Sequence, residues 1–183
     1  MDTSRTSTRR MLRLLTYWAV VTLCVIVDQS VKAAVRELLA VGERHAFILG
    51  LVDLLHVENT GAAFSMGQGA GPVFVCIALA VLVGGMVLAW REELPAGLVA
   101  CMACVAGGGI GNMIDRLLFG SVTDFLATTF VDFPVFNVAD IFVTCGVVVS
   151  FVWYARWDVQ QERLRKGRGE AVAPAEDEGP KGA

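Results

Sequence analysis

Four long stretches of this chain carry almost no charge, and that feature limits its fold more than any other. They cover 12–35, 72–90, 94–114 and 133–155, and the second and third contain no Asp, Glu, Lys or Arg. At 1.5 Å of rise per residue, each is long enough to cross the roughly 30 Å hydrocarbon core of a bilayer as a helix. With 55% hydrophobic residues the chain also exceeds the apolar share of about 45–50% usual for soluble domains. The expected class is an all-α membrane protein with four transmembrane helices.

Orientation follows from the cations. Most of the 15 Lys and Arg cluster at 5–13, at Arg91 and over 156–181, whereas Lys32, Arg36, Arg44 and Arg116 stand on the other side. The positive-inside rule then puts both termini in the cytoplasm. The basic start followed by an apolar run resembles a secretion signal, but the run is too long and lacks a small-residue cleavage site. It reads as a retained first span. The net charge of −3 names no partner, and no nucleic acid is expected. All five cysteines fall in the apolar stretches and read as small buried hydrophobes, with no zinc site or disulfide framework.

Residues 1–10 read as a polar cytoplasmic segment, 11–158 as the four-span domain, and 159–183 as a disordered cytoplasmic tail after a short helical extension. The outer segment FILGLVDLLHVEN (47–59) suits short strands on the membrane surface, and the Gly-rich 60–72 suits turns. Together they predict a small extracytoplasmic sheet or β-cradle. The second outer segment, 122–133, is amphipathic and is expected to lie along the interface.

Ionisable groups at membrane depth cost about 2.5–3.5 kcal/mol each on insertion scales, so each needs a reason. Asp28 and Lys32 share a helix face at i, i+4, either as an ion pair or as support for an outer site. GGGIGNMIDR (107–116) combines glycines that permit close helix packing with Asn112, Asp115 and Arg116 at a helix end. In FPVFNVAD (133–140), Asn137 is a candidate N-cap, and Asp140 would then sit at N3, where a carboxylate suits the helix dipole. Capping alone would explain Asp140. It leaves unexplained why Asp28, Lys32, Asn59, Asn112, Asp115, Arg116, Asp124, Asn137 and Asp140 gather at one level. Two carboxylates held close share a proton, and such a pair can activate water without a metal or a Ser or Cys nucleophile. The two histidines, His45 and His56, have no evident triad partner.

Taken in order, DQSVK (28–32), VENTGAAFS (57–65), GGGIGNMIDR (107–116), VTDF (122–125) and FNVAD (136–140) resemble the lipoprotein signal peptidases (signal peptidase II) over about 12–155. The resemblance implies an aspartic endopeptidase of the bacterial cytoplasmic membrane, with its site at the extracytoplasmic face. Its substrates would be diacylglyceryl-modified prolipoproteins met in membrane lipid, cut just before the lipid-bearing cysteine. It implies no cofactor and no metal, and it implies inhibition by the cyclic peptide globomycin. Asp124 and Asp140 correspond to the catalytic aspartates. Asp28 and Lys32 correspond to a pair shaping the site, Asn59 and Gly61 to a loop nearing the substrate, and Asn137 to the residue positioning the second aspartate. Asn112, Asp115 and Arg116 correspond to the polar end of the third span, where Arg116 is expected to hold the site or the substrate backbone. Asp115 is the alternative first aspartate. Asp124 is preferred because pairing with the adjacent Arg116 would hold Asp115 charged. Two positions depart from the family pattern: Thr123 stands where Val is common, and Ile141 where Ser is common.

Two other readings use the same acids. A small proton-coupled transporter would place them near the midplane, within repeated broken helices. A non-catalytic membrane adaptor would use them only as caps and anchors.

Overall fold

A computed structural model of the chain describes residues 3–61 and 70–167. The chain divides into two units, Met1–Ser150 and Phe151–Ala183. Helices α1 (Thr3–Leu38) and α2 (Gly71–Arg91) contain the first two apolar stretches, while α3 (Ala96–Phe119) and α4 (Val138–Gly167) take up most of the other two; residues 133–137, expected to open the fourth span, precede the helix. Each helix is long and apolar enough to cross a membrane. The outward faces are the greasy ones: Leu12, Leu23, Ile77, Val83, Val148 and others expose large apolar side chains, as a lipid-bathed bundle must. Cys76 and Cys145 belong to these exposed faces, which corrects the expectation that every cysteine is buried. They cost nothing there, because lipid is as apolar as a protein core. In the second unit, the described residues 151–167 continue α4 as helix. The tail beyond 167 and most of the Gly-rich turn segment, 62–69, lie outside the described residues.

α3 is the hub, and its glycines explain how. A Cβ on Gly107 would meet the Cys24 Cβ of α1 at 2.7 Å. One on Gly108 would meet the backbone oxygen of Ala139 in α4, and one on Gly109 would meet Ala78 of α2 at 3.6 Å. Three successive residues point about 100° apart, so each looks at a different neighbour. The same spacing carries the pattern outward. Gly107, Gly111 and Asp115 share the face toward α1, while Gly108, Asn112 and Arg116 share the face that meets the start of α4. At the opposite end, Tyr17 of α1 lies over Gly85 and donates its hydroxyl to the Leu82 carbonyl at 2.8 Å. Tyr17 is completely buried with Val21, Ala89, Val99, Ala103 and Ala106.

The outer segments form one antiparallel sheet in the order β1 (Arg44–Ile48), β2 (Val52–Asn59), β3 (Val122–Thr128). Strands were expected over 47–59, a range that holds all of β2 but only Phe47 and Ile48 of β1. The third comes from the segment expected to lie along the interface, whose first half instead enters the sheet. Its residues Val122, Phe125 and Ala127 are buried, so β3 is held by packing as well as by pairing with β2. Gly120, at φ 76°, ends α3 in the left-handed conformation and turns the chain into β3.

The glycine contacts yield a paired test. Gly108→Ala drives a methyl into a backbone carbonyl that cannot rotate away, and should cost about 1–3 kcal/mol. Gly109→Ala meets only ordinary van der Waals contact and should be near neutral. Unfolding midpoints of the two variants in the same detergent measure the difference.

Candidate active site

The N-terminus of α4 is built by its own sequence. Asn137 is the N-cap, with its carbonyl accepting from Ile141 N–H. The Asp140 N–H donates to Asn137 Oδ1 at 3.0 Å, and the Asn137 N–H donates to Asp140 Oδ2 at 3.1 Å. This reciprocal pair is a capping box with Asp in the usual Glu position. It leaves Asp140 Oδ1 facing Asn112, whose Nδ2 donates to it at 2.8 Å.

Asp124 reaches the same place from β3. The strand leading into α4 is pinned to β3 by a bridge between Leu126 and Phe136, with bonds of 2.8 and 3.1 Å. That bridge brings residues 124 and 140 together. Asn59 Nδ2 donates to Asp124 Oδ2 at 2.9 Å, and Asn137 Nδ2 donates to Asp124 Oδ1 at 2.6 Å. Asn137 therefore grips both acids, one through its side chain and one through its backbone. Both acids line a cavity of about 470 Å³ shared with Asn59, Gly61, Asn112 and Arg116. Its remaining wall is apolar, formed by 133–136 and by α4 residues including Ile141, Val143 and Cys145. Arg116 donates to the Gly61 carbonyl at 2.9 Å, and its guanidinium lies over Phe74 at 4.8 Å. Asp124 is only 3% exposed. Burial pushes its carboxyl up to about 6, and the nearby Asp140 charge adds to this, while the Asn59 and Asn137 hydrogen bonds oppose it.

Behind the cavity lies a fully buried charge cluster. Lys32 pairs with Asp28 at 2.9 Å and Asp115 at 3.4 Å, and all three are 0% exposed. Asp28 Oδ1 accepts the Ala139 N–H at 2.9 Å, which satisfies a first-turn donor of α4 from another helix. Gln29 donates to Asp115 and to the Gly111 carbonyl, both at 3.0 Å. Lys32 also donates to Asn112 Oδ1 at 2.7 Å, and so touches the cavity residues through an amide.

The model of the signal peptidase (SPase) II family matches residues 20–156. The chain belongs to that family. Its lipoprotein signal peptidase relatives include those of Streptococcus pneumoniae, 34% identical over 73% of this chain and 88% of that protein, and Synechocystis, 33% identical over 81% and 92%. Two solved chains, each described as a bacterial membrane enzyme structure obtained by the in meso method, superpose with TM-scores of 0.71 and 0.69. Both are 27% identical; they cover 77% and 76% of this chain, and 88% and 92% of their own length is matched.

In this member of the family, Asp124, Asp140, Asn59, Gly61, Asn112 and Arg116 all line the one cavity, and Asn137 bridges its acids. Asp28, Lys32 and Asp115 stand behind it. One expectation needs correction. Among the described residues Asp115 is paired with Lys32 and Arg36, not with Arg116, because its face of α3 looks at α1. Gln29, Arg36 and Phe74 belong to this arrangement and were not singled out as site residues from the sequence. Arg36 lies one turn beyond Lys32 on the face of Asp28, a spacing that marks it. Phe74 carried no signal.

Lys32→Met leaves two carboxylates buried without their shared cation. It should destabilise the fold by about 3–5 kcal/mol, read from detergent unfolding. Asp124 should titrate near pH 6, well above the ordinary carboxyl range of the unfolded chain. Between that range and about 6, the folded state keeps a proton that the unfolded chain has lost. Stability therefore falls as pH rises through this window and levels off above it. The protonated-carboxyl band in difference infrared spectra should grow below pH 6, and Asp124→Asn should lack it.

Proposed function

We propose that this signal peptidase is an aspartic endopeptidase that removes the signal peptide from diacylglyceryl-modified prolipoproteins, cutting just before the lipid-bearing cysteine. The observation carrying this reading is the convergence of Asp124 and Asp140 on one cavity, held from either side by Asn137. Asp124, whose carboxyl is pushed up by burial, carries the shared proton, and Asp140 supplies the carboxylate. A water between them attacks the scissile carbonyl carbon. Its proton passes to Asp140 while the Asp124 proton passes to the carbonyl oxygen, giving a gem-diol. On collapse the C–N bond breaks, Asp140 protonates the leaving nitrogen, and a diol hydroxyl returns a proton to Asp124. Buried Arg116 Nε, which has no acceptor among the described residues, is a donor for the substrate backbone.

The apolar wall suits the lipid part of such a substrate. Ile141 and Cys145 lie one helical turn apart beside Asp140, so acyl chains and a signal helix can approach from membrane lipid. Globomycin, a cyclic peptide, would occupy the same cavity. The distribution of Lys and Arg supports a multi-pass protein of the bacterial cytoplasmic membrane, both termini inside and the cavity at the outer face. The proton-coupled transporter reading has no support from the family match.

Asp124→Asn and Asp140→Asn should each lower prolipoprotein cleavage by roughly a hundredfold or more at normal protein abundance. Precursor accumulation in cells and cleavage of a lipidated peptide by purified enzyme measure this. Near-normal turnover by either variant would remove that residue from the mechanism.

A further inference from the structure

The strand carrying Asp124 is fastened at the residue just before it, through both backbone and side chain. Thr123 is 4% exposed and points away from the cavity. Its N–H donates to Asp115 Oδ2 at 2.9 Å, and its Oγ1 accepts from Arg36 Nη1 at 2.9 Å. The Arg36 guanidinium also reaches Asp115 Oδ1 at 3.5 Å and lies over the Phe119 ring at 4.5 Å. Three elements thus meet at one guanidinium: the end of α1, the last turn of α3 and the start of β3. Only four residues separate Phe119 from Asp124, so fixing Thr123 leaves the next residue little freedom. Side chains alternate along a strand, so holding Thr123 from behind turns Asp124 toward the cavity. Valine in that position has the shape of threonine but no acceptor for Arg36.

We propose that Arg36 and Thr123 are positioning residues that set the placement of Asp124 for catalysis, a role that rests on Asp124 being one of the two reacting acids. Neither residue lines the cavity. Their contacts are made at Thr123, on the strand that carries Asp124, so they act on its placement.

The test compares Thr123→Val, Thr123→Ser, Arg36→Met and the Arg36→Met/Thr123→Val double variant, all purified in detergent and assayed on a lipidated peptide. Thr123→Val should lower kcat about tenfold to a hundredfold, as a small misplacement of a reacting group does, with KM nearly unchanged. The midpoint of its pH–rate profile should stay where the wild type has it. Thr123→Ser, which keeps the hydroxyl, should restore most of the rate. The double variant should be no slower than Arg36→Met alone, because both substitutions break the same contact. Wild-type kcat in Thr123→Val, or equal losses in the Val and Ser variants, overturns the proposal. Asp124→Asn run in parallel keeps the two ideas apart. An active Asp124→Asn sinks the dyad itself, whereas an inactive Asp124→Asn beside a fully active Thr123→Val sinks only the positioning role.

Discussion

The buried contact of Lys32 with Asp28 and Asp115 is the constraint on which the site depends. Desolvating one ion costs several kcal/mol, and these three are entirely hidden. They persist because each remaining lone pair or proton finds a partner. Asp28 takes the Ala139 N–H, Asp115 takes the Thr123 N–H, and Lys32 gives a third bond to Asn112. Those extra partners are the backbone starts of α4 and β3, the two elements carrying Asp140 and Asp124. Satisfying the buried charges and placing the two acids of the cavity are thus one arrangement. A shift of α4 or β3 would pull the Ala139 or Thr123 N–H from its carboxylate and leave a buried donor unpaired.

Close packing makes that arrangement possible. Asp28 can reach the first turn of α4 only because Gly111 of α3 leaves room for its carboxylate. Gly108 does the same for the Ala139 carbonyl. In a bilayer no hydrophobic force drives helices together, so contact at backbone distance is a main source of attachment. The run of small residues in α3 supplies it on three sides, and the polar residues at 112, 115 and 116 extend two of those faces into the site.

The spans were legible because they reflect solvation alone: a long apolar run has few places to go except lipid. The N-cap at Asn137 and the ion pair of Asp28 with Lys32 were legible because they are local, set by spacings of three and four. What the sequence hid was non-local. The segment over 122–133 has an amphipathic pattern that fits an interfacial stretch and a strand equally. Its pairing with β2 is decided by residues more than sixty positions away. The partner of Asp115 was misjudged for the same reason: adjacency to Arg116 in sequence is not adjacency on a helix surface, where neighbours point about 100° apart. Arg36 was visible only as an outer cation until its ring contact and its two oxygen partners located it.

A last feature of the arrangement is where charge stops and amide begins. The carboxylates that stand behind the cavity are bonded to cations, whereas the two that line it are bonded to asparagines and a backbone N–H. An ion pair would hold a carboxylate charged, and a group locked in one protonation state cannot hand a proton back and forth. An amide N–H fixes orientation while leaving both states within reach. Asn112 stands at the boundary, accepting from Lys32 and donating to Asp140, and Asn137 donates to Asn112 Oδ1 as well as to Asp124. The cationic end of the network can therefore orient both acids without pairing with either. On the proposed mechanism, exchanging Asn112 for a cation would strengthen the local electrostatics and defeat the chemistry, because there the acids trade a proton between them.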